Sequence, residues 1–431
     1  METGRRQRCA KYVTNSFFRY LYSVLYKKEG KKYNMNQKYL NRGGLITLIT
    51  LLSMIPPLSI DLYMPALPQM TSYFKVSTSL TSFTMTVFFI FMAIGILVLG
   101  SISDKFGRKP VLVASILISL TFSIICAISP TISLLIIARA IQAFGAGGMV
   151  AIATALIKDS FEGKEMSKIL SITQAFSLLA PMVAPILGAL ILKVASWKMV
   201  FIVLALLTSF SLFAALLLQE TLSEEKRITE SSFQSIFRLV KVTQNKNFST
   251  ILLIGGLLSA PFMAYLAIAS YIYINEFGVS ETTFSLYFAL TSSFAVLGPI
   301  LYMRFGNKSV KLVFNFAFSV VIISALLLYN IGHIHPLIFI LCYIPFVIVT
   351  TYFRPMVSDM LLSTQKSDVG AASAVVNFVF SVIGSVGMTI GSMKWNSYIQ
   401  GLSYTMLIFV LISIIIWVYI LKSKSIKFDW K

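Results

Sequence analysis

Charge is scarce in this sequence, and negative charge is scarcest. Only 12% of the 431 residues are charged, with 16 Asp and Glu against 36 Lys and Arg. A soluble domain is roughly 25% charged and 45–50% apolar. Here 57% of residues are apolar and the mean hydropathy is +0.83. No soluble packing hides that much apolar surface, which excludes a globular cytosolic enzyme. Histidine (2) and cysteine (3) are nearly missing. Cys9, Cys126 and Cys342 show no paired spacing, so they imply neither a disulfide framework nor a metal site. No G-x-x-x-x-G-K-[ST] phosphate loop occurs, so ATP hydrolysis is not the power source. H-E-x-x-H and paired-carboxylate motifs are also missing, and no cofactor is called for beyond a coupling ion.

What the sequence has is long apolar runs. A spanning helix needs about 20 apolar residues. Runs of that length occur near 45–64, 80–102, 110–129, 131–157, 169–192 and 197–218, then near 249–274, 282–303, 312–331, 336–361, 369–393 and 401–421. The expectation is an all-α polytopic membrane protein with twelve spans. Alternating the loops between two sides places 30 of the 36 Lys and Arg on one side. The other side holds only Lys75, Lys193, Lys198 and Lys394, while Arg139 and Arg354 fall inside spans. Cytoplasmic loops collect Lys and Arg, so both termini are expected in the cytoplasm. The net charge of +20 then needs no nucleic-acid partner.

The polar stretch 219–248 divides the chain into bundles of six spans at 44–218 and 249–421. A basic extension, 1–43, precedes them and a basic tail, 422–431, follows. The extension reads as a segment ahead of a start at Met35, with Phe17–Tyr22 able to lie at a membrane surface. An internal echo supports the division. Lys105-Phe106-Gly107-Arg108-Lys109 follows the second run and Arg304-Phe305-Gly306-Asn307-Lys308 the eighth, as in transporters built from two related bundles.

Gly100-Ser101-Ile102-Ser103-Asp104-Lys105-Phe106-Gly107-Arg108-Lys109 fits G-x-x-x-D-[RK]-x-G-[RK]-[RK] at every defined position. Gly107 permits a tight reversal between antiparallel helices. Arg108 and Lys109 hold the loop at anionic lipid headgroups, and Asp104 can pair with a nearby cation or helix N-terminus. A topological anchor alone explains Arg108 and Lys109 but not Asp104 and both glycines. The loop resembles that of the major facilitator superfamily. Ile60-Asp61-Leu62-Tyr63-Met64-Pro65-Ala66-Leu67-Pro68, Arg139–Gly147, Ala180-Pro181-Met182-Val183-Ala184-Pro185-Ile186-Leu187-Gly188 and Gln219-Glu220-Thr221-Leu222 narrow the resemblance to the bicyclomycin/chloramphenicol-resistance (Bcr/CflA) drug:proton antiporters. That resemblance implies a twelve-helix exporter of small amphipathic drugs, driven by proton entry, acting as a monomer in a bacterial plasma membrane.

Ionisable residues inside a span cost about 2.5–3.5 kcal/mol on insertion scales and mark function. Asp61 and Arg139 lie at similar depths of roughly 5–12 Å by residue count, so a proton-coupling pair is expected between them. The plain alternative puts Asp61 in the wet interface as a helix-end group. Gln142 shares a helix face with Arg139 and is expected to reach substrate, unless the two form a structural clamp. Pro181 and Pro185 should bend the fifth helix, with Gly188 beside them. Gly145, Gly147 and Gly148 are expected to pack helices closely. Arg354 departs from the family; facing the cavity it would favour anionic or carbonyl-rich substrates, against snorkelling as the competing account. Tyr265 is the aromatic residue expected to stack on substrate. The competing functions are a proton-coupled uptake permease for a metabolite and, more remotely, a membrane enzyme acting on lipid.

Overall fold

Side-chain caps fix where the apolar runs become helices in the computed structural model. It describes residues 37, 39–227, 243–306, 309–363 and 369–422. The extension ahead of Met35, part of the 219–248 linker, Asn307 and Lys308 of the echo and the tail past Lys422 lie outside them. Asn41, Ser77, Thr131 and Ser280 each accept a hydrogen bond from a first-turn amide with a side-chain oxygen, satisfying donors that the helix itself leaves free.

The spans are α1 (Arg42–Phe74), α2 (Thr78–Phe106), α3 (Arg108–Ile128), α4 (Ile132–Ser160), α5 (Gly163–Val194) and α6 (Lys198–Leu217). After the linker come α7 (Lys246–Glu276), α8 (Glu281–Phe305) and α9 (Val310–Ile331). Then follow α10 (Pro336–Ser363), α11 (Val369–Gly391) and α12 (Tyr398–Lys422). Among the described residues, eleven helices are long and apolar enough to cross a membrane; α11 contributes a shorter apolar helix, Val375–Gly391. The twelve expected runs and the twelve helices coincide. Two boundaries move: α1 runs ten residues past its expected end, and α5 starts six residues earlier.

Irregularities fall where the backbone must turn. The α-helix of α1 stops at Asp61, passes through a 3-10 turn at Met64–Ala66 and resumes at Leu67–Phe74. The last six residues of α7, Tyr271–Glu276, form a π-helix, a rare geometry that often marks functional positions. α8 is interrupted at Val296. In the first bundle the helices touch backbone to backbone. A Cβ on Gly95 would stand 2.2 Å from the Phe144 carbonyl oxygen, and one on Gly147 2.2 Å from that of Met92. Small residues thus bring α2 and α4 together, as expected of Gly147.

The two bundles meet along α2–α11 and α5–α8. The hydrogen bonds between them gather at the end that carries few charges. Thr71 and Tyr271 share one of 2.8 Å, the Tyr398 hydroxyl donates to Thr78 Oγ1 at 2.7 Å, and Ser82 donates to the Ala267 carbonyl at 3.1 Å. Ser285 donates to the Pro185 carbonyl at 2.8 Å, and Ser79 donates to the Ser392 carbonyl.

Candidate functional site

The break in α1 sets the first candidate site. Tyr63 follows Asp61 by two residues and faces α4, where its ring lies 4.4 Å from the Arg139 guanidinium carbon. Phe88 of α2 covers the guanidinium from 4.2 Å and Phe201 of α6 from 5.6 Å. Such cation–π contacts hold a desolvated guanidinium. Arg139 is 0% exposed. Its Nη1 donates to Gln142 Oε1 at 2.8 Å, and Gln142 Nε2 donates to Ser123 Oγ at 2.7 Å. Nε and Nη2 of Arg139 reach no partner among the described residues.

Asp61 is 4% exposed, and its carboxyl group is absent from every ion pair and side-chain hydrogen bond of the described residues. The expected Asp61–Arg139 pair is therefore not formed in this arrangement. Residues two apart on a helical turn do not share a face, so presenting Tyr63 to α4 turns Asp61 away from it. The wet-interface alternative also fails, because Leu62, Tyr63, Met64, Ala66, Leu67 and Met70 beyond it are all buried. Gly188 of α5 presses on the same break: its Cβ would lie 2.0 Å from the Leu62 carbonyl oxygen. Gln142 is corrected too. Held between Arg139 and Ser123 and fully buried, it clamps helices and presents no group to a cavity.

At the opposite, basic end, the expected loop forms a charge clamp. Arg108 pairs with Asp104, one turn away, and its Nε lies 2.9 Å from Asp159 Oδ2 at the end of α4. Its Nη1 also donates to Ser103 Oγ at 2.8 Å. Glu220 accepts from the backbone amides of Arg108 (2.8 Å) and Lys109 (3.1 Å), the first donors of α3, where a carboxylate complements the helix dipole. Lys109 Nζ donates to the Leu216 carbonyl at 2.9 Å, while Lys105 stays exposed over Phe106. Gly107 adopts φ +102°, and a Cβ there would meet Glu220 Oε2 at 2.5 Å. Gly100 has no such backbone need and packs against Ala151. Asp159 and the clamping role of Glu220 escaped sequence reasoning. Glu220 was visible only as a landmark in Gln219-Glu220-Thr221-Leu222, and nothing local connects it to Arg108, 112 residues away.

Pro181 and Pro185 lie inside a helix that continues without a break from Gly163 to Val194. The expected bend does not interrupt it, and the carbonyl of Pro185 instead receives Ser285 from the second bundle. That bundle holds a cluster of rings. Tyr265 lies 4.5 Å from Tyr343 and stacks at 5.9 Å on Phe288 and 6.2 Å on Phe339. At 1% exposed, Tyr265 is a core residue and does not line an open cavity, because rings from α8 and α10 enclose it. The hydroxyls of Tyr265, Tyr273 and Tyr343 are buried without a partner among the described residues. Arg354 is exposed, and Asp359 accepts instead from the Tyr302 hydroxyl at 2.8 Å. The Arg354–Asp359 pairing is thus not made.

Comparison with known proteins agrees with this architecture. The sequence model of the Major Facilitator Superfamily matches residues 49–388. An uncharacterized MFS-type transporter, YdgK of Bacillus subtilis, is 31% identical over 352 residues, covering 80% of this chain and 87% of that one. The bicyclomycin resistance protein homolog of Haemophilus influenzae is 27% identical over 414 residues, covering 91% and 99%. Among solved structures, a D-xylose-proton symporter superposes with a TM-score of 0.67 at 15% identity, over 87% of this chain and 97% of that one. At that identity the likeness concerns the fold alone. The match spans both bundles, and with it the chain is a multi-pass membrane protein that belongs to the Major Facilitator Superfamily of transporters.

Proposed function

We propose that the protein exports small amphipathic compounds, drugs among them, across a bacterial plasma membrane in exchange for entering protons. It is a transporter that rocks its two bundles about a site near the membrane midplane, with proton as the coupling ion and no other cofactor. The basic ends of the helices, with both chain termini, face the cytoplasm, where Lys and Arg loops are retained and meet anionic lipid. The hydrogen-bonded end then closes the outer side, and a monomer is sufficient for the cycle.

The observation that carries this reading is Asp61. It is a carboxyl group buried within a span, beside a helix break, with no ion pair among the described residues to lock its charge. A proton carrier must be free to gain and lose its proton at each turn of the cycle. Arg139 keeps two unfilled donors within the same bundle, so straightening the α1 break would let the ionised carboxylate reach a counter-charge. Proton release and bundle movement would thereby be one event. The name of the Haemophilus influenzae relative supports drug export.

The test uses proteoliposomes holding an inward proton gradient, with lumenal pH followed as amphipathic compounds are added. Wild type should show compound-triggered proton movement that Asp61→Asn lacks. Protons and a metabolite moving together in one direction would replace export with uptake.

A further inference from the structure

We infer that Arg354 is an anion-binding subsite of the transport path, so that the substrate carries a carboxylate, phosphate or sulfonate beside its apolar body. This names the substrate class of the proposed transporter and rests on that reading for the path itself.

Three charged side chains of the described residues stand more than six residues from either end of their span: Asp61, Arg139 and Arg354. Asp61 is buried by its own bundle and Arg139 is shut behind three rings. Arg354 is different. It lies nine residues before the end of α10 at Ser363, about 13 Å into the span at 1.5 Å per residue, and it is exposed while Phe353, Met356 and Val357 around it are buried. Its guanidinium is absent from every ion pair, hydrogen bond and ring contact of the described residues; only its backbone carbonyl is engaged, accepting from the Ser358 hydroxyl at 2.9 Å.

Its direction follows from its neighbours. At about 100° per residue, Val357 and Thr351 lie roughly 60° to either side of it. Val357 faces α7 and α11: a Cβ on Gly255 would meet it at 2.7 Å and Phe380 at 3.0 Å. Thr351 faces α8, where a Cβ on Gly298 would meet its hydroxyl at 2.2 Å. Between these directions, Arg354 opens toward the space between α8 and α11, the two helices that make the most extensive contact with the first bundle. The lipid side of α10 is elsewhere. There Ile348 and Tyr352 line an apolar groove of about 390 Å³ with Leu301, Leu312 and Phe316, in which Arg354 has no part. A snorkelling side chain would leave from that face.

An isolated charge in an apolar surrounding is costly unless it is paired. Two of the three interior charges are cations, so a cationic substrate would meet an accessible guanidinium with no counter-charge among the described residues. An anion supplies one, and a guanidinium binds a carboxylate or phosphate through two parallel N–H bonds.

The matched probes are 4-phenylbutyrate, its neutral amide and 4-phenylbutylamine, against full-length wild type, Arg354→Gln and Arg354→Lys. Thermal unfolding in detergent reports binding, and proton flux in proteoliposomes reports transport. The carboxylate should stabilise wild type most, and Arg354→Gln should weaken its apparent affinity about ten- to hundredfold, with Arg354→Lys between them. The amide should be indifferent to both changes. Equal stabilisation by all three probes, a preference for the amine, or a carboxylate preference surviving in Arg354→Gln would overturn the subsite; the last is also what snorkelling predicts. Arg354-dependent stabilisation without proton movement by any probe would keep the subsite and remove the export reading.

Discussion

The two bundles answer the same structural positions with opposite chemistry. Lys246, which opens α7, lies 204 residues after Arg42, and Pro336, which opens α10, lies 204 residues after Ile132. That shift carries Pro57 onto Pro261, Asp61 onto Tyr265 and Arg139 onto Tyr343. Where the first bundle has an acid and a base, the second has two phenols whose rings lie 4.5 Å apart. Each bundle packs rings at this depth, but the first wraps them around a cation and the second around one another. A duplicated scaffold thus keeps its packing while its chemistry diverges. The first bundle is left with the titratable carboxyl, and the second with the exposed cation of α10.

The largest effect should come from removing the charge on which the difference turns. Arg139→Met keeps volume in a ring-lined site, and replacing a buried charge by an apolar side chain is often neutral for stability. Its unfolding temperature should therefore stay within a few degrees of wild type, while proton-coupled transport falls to background in proteoliposomes. A variant that transports normally would reduce Arg139 to a packing device and make the bundles equivalent after all. Gly107→Ala comes next. Its φ of +102° with ψ of 157° costs an alanine about 1–3 kcal/mol, and its methyl group displaces Glu220 from the first amides of α3. Gly306, its echo in the second bundle, has an ordinary φ of −64°. Transport should fall about tenfold in Gly107→Ala, since 1.4 kcal/mol is a factor of ten. A variant with the wild-type rate and stability would show that the clamp of Asp104, Arg108, Asp159 and Glu220 tolerates loss of its turn.

How far the sequence discloses this arrangement depends on the distance over which each signal acts. Spanning helices are local, because 20 apolar residues declare themselves wherever they stand, and all twelve runs became helices. The 100–109 loop is also local and closes on itself through Asp104 and Arg108. Asp61 and Arg139 were legible as costly charges, but their relation was not. A two-residue difference in register decides whether Asp61 or Tyr63 faces α4, and the break that sets it opens inside the expected run of 45–64, where no change of composition marks it. Tyr265 illustrates the reverse difficulty. Its ring suited stacking on a substrate, yet Phe288, Phe339 and Tyr343 converge on it from α8 and α10, and no pattern within α7 announces them. Glu220 was in view as part of a landmark, while its role depends on a contact across the bundle.

The smallest effect is expected in the second bundle, and it bears most directly on the comparison. The hydroxyls of Tyr265 and Tyr343 are buried without a partner among the described residues, and a buried polar group left unpaired costs about 1–3 kcal/mol. Tyr265→Phe and Tyr343→Phe remove that cost while leaving the ring stack in place. Both should unfold above the wild-type temperature, with about 1–3 kcal/mol of added stability at most and unchanged proton flux. Asp61→Asn, at the position that corresponds to Tyr265, should abolish flux with a change of similar size. If Tyr265→Phe also stops proton movement, the phenols belong to the coupling path. The two bundles then share one function, and the phenols that stand in the second for the acid and base of the first are a difference of chemistry but not of role.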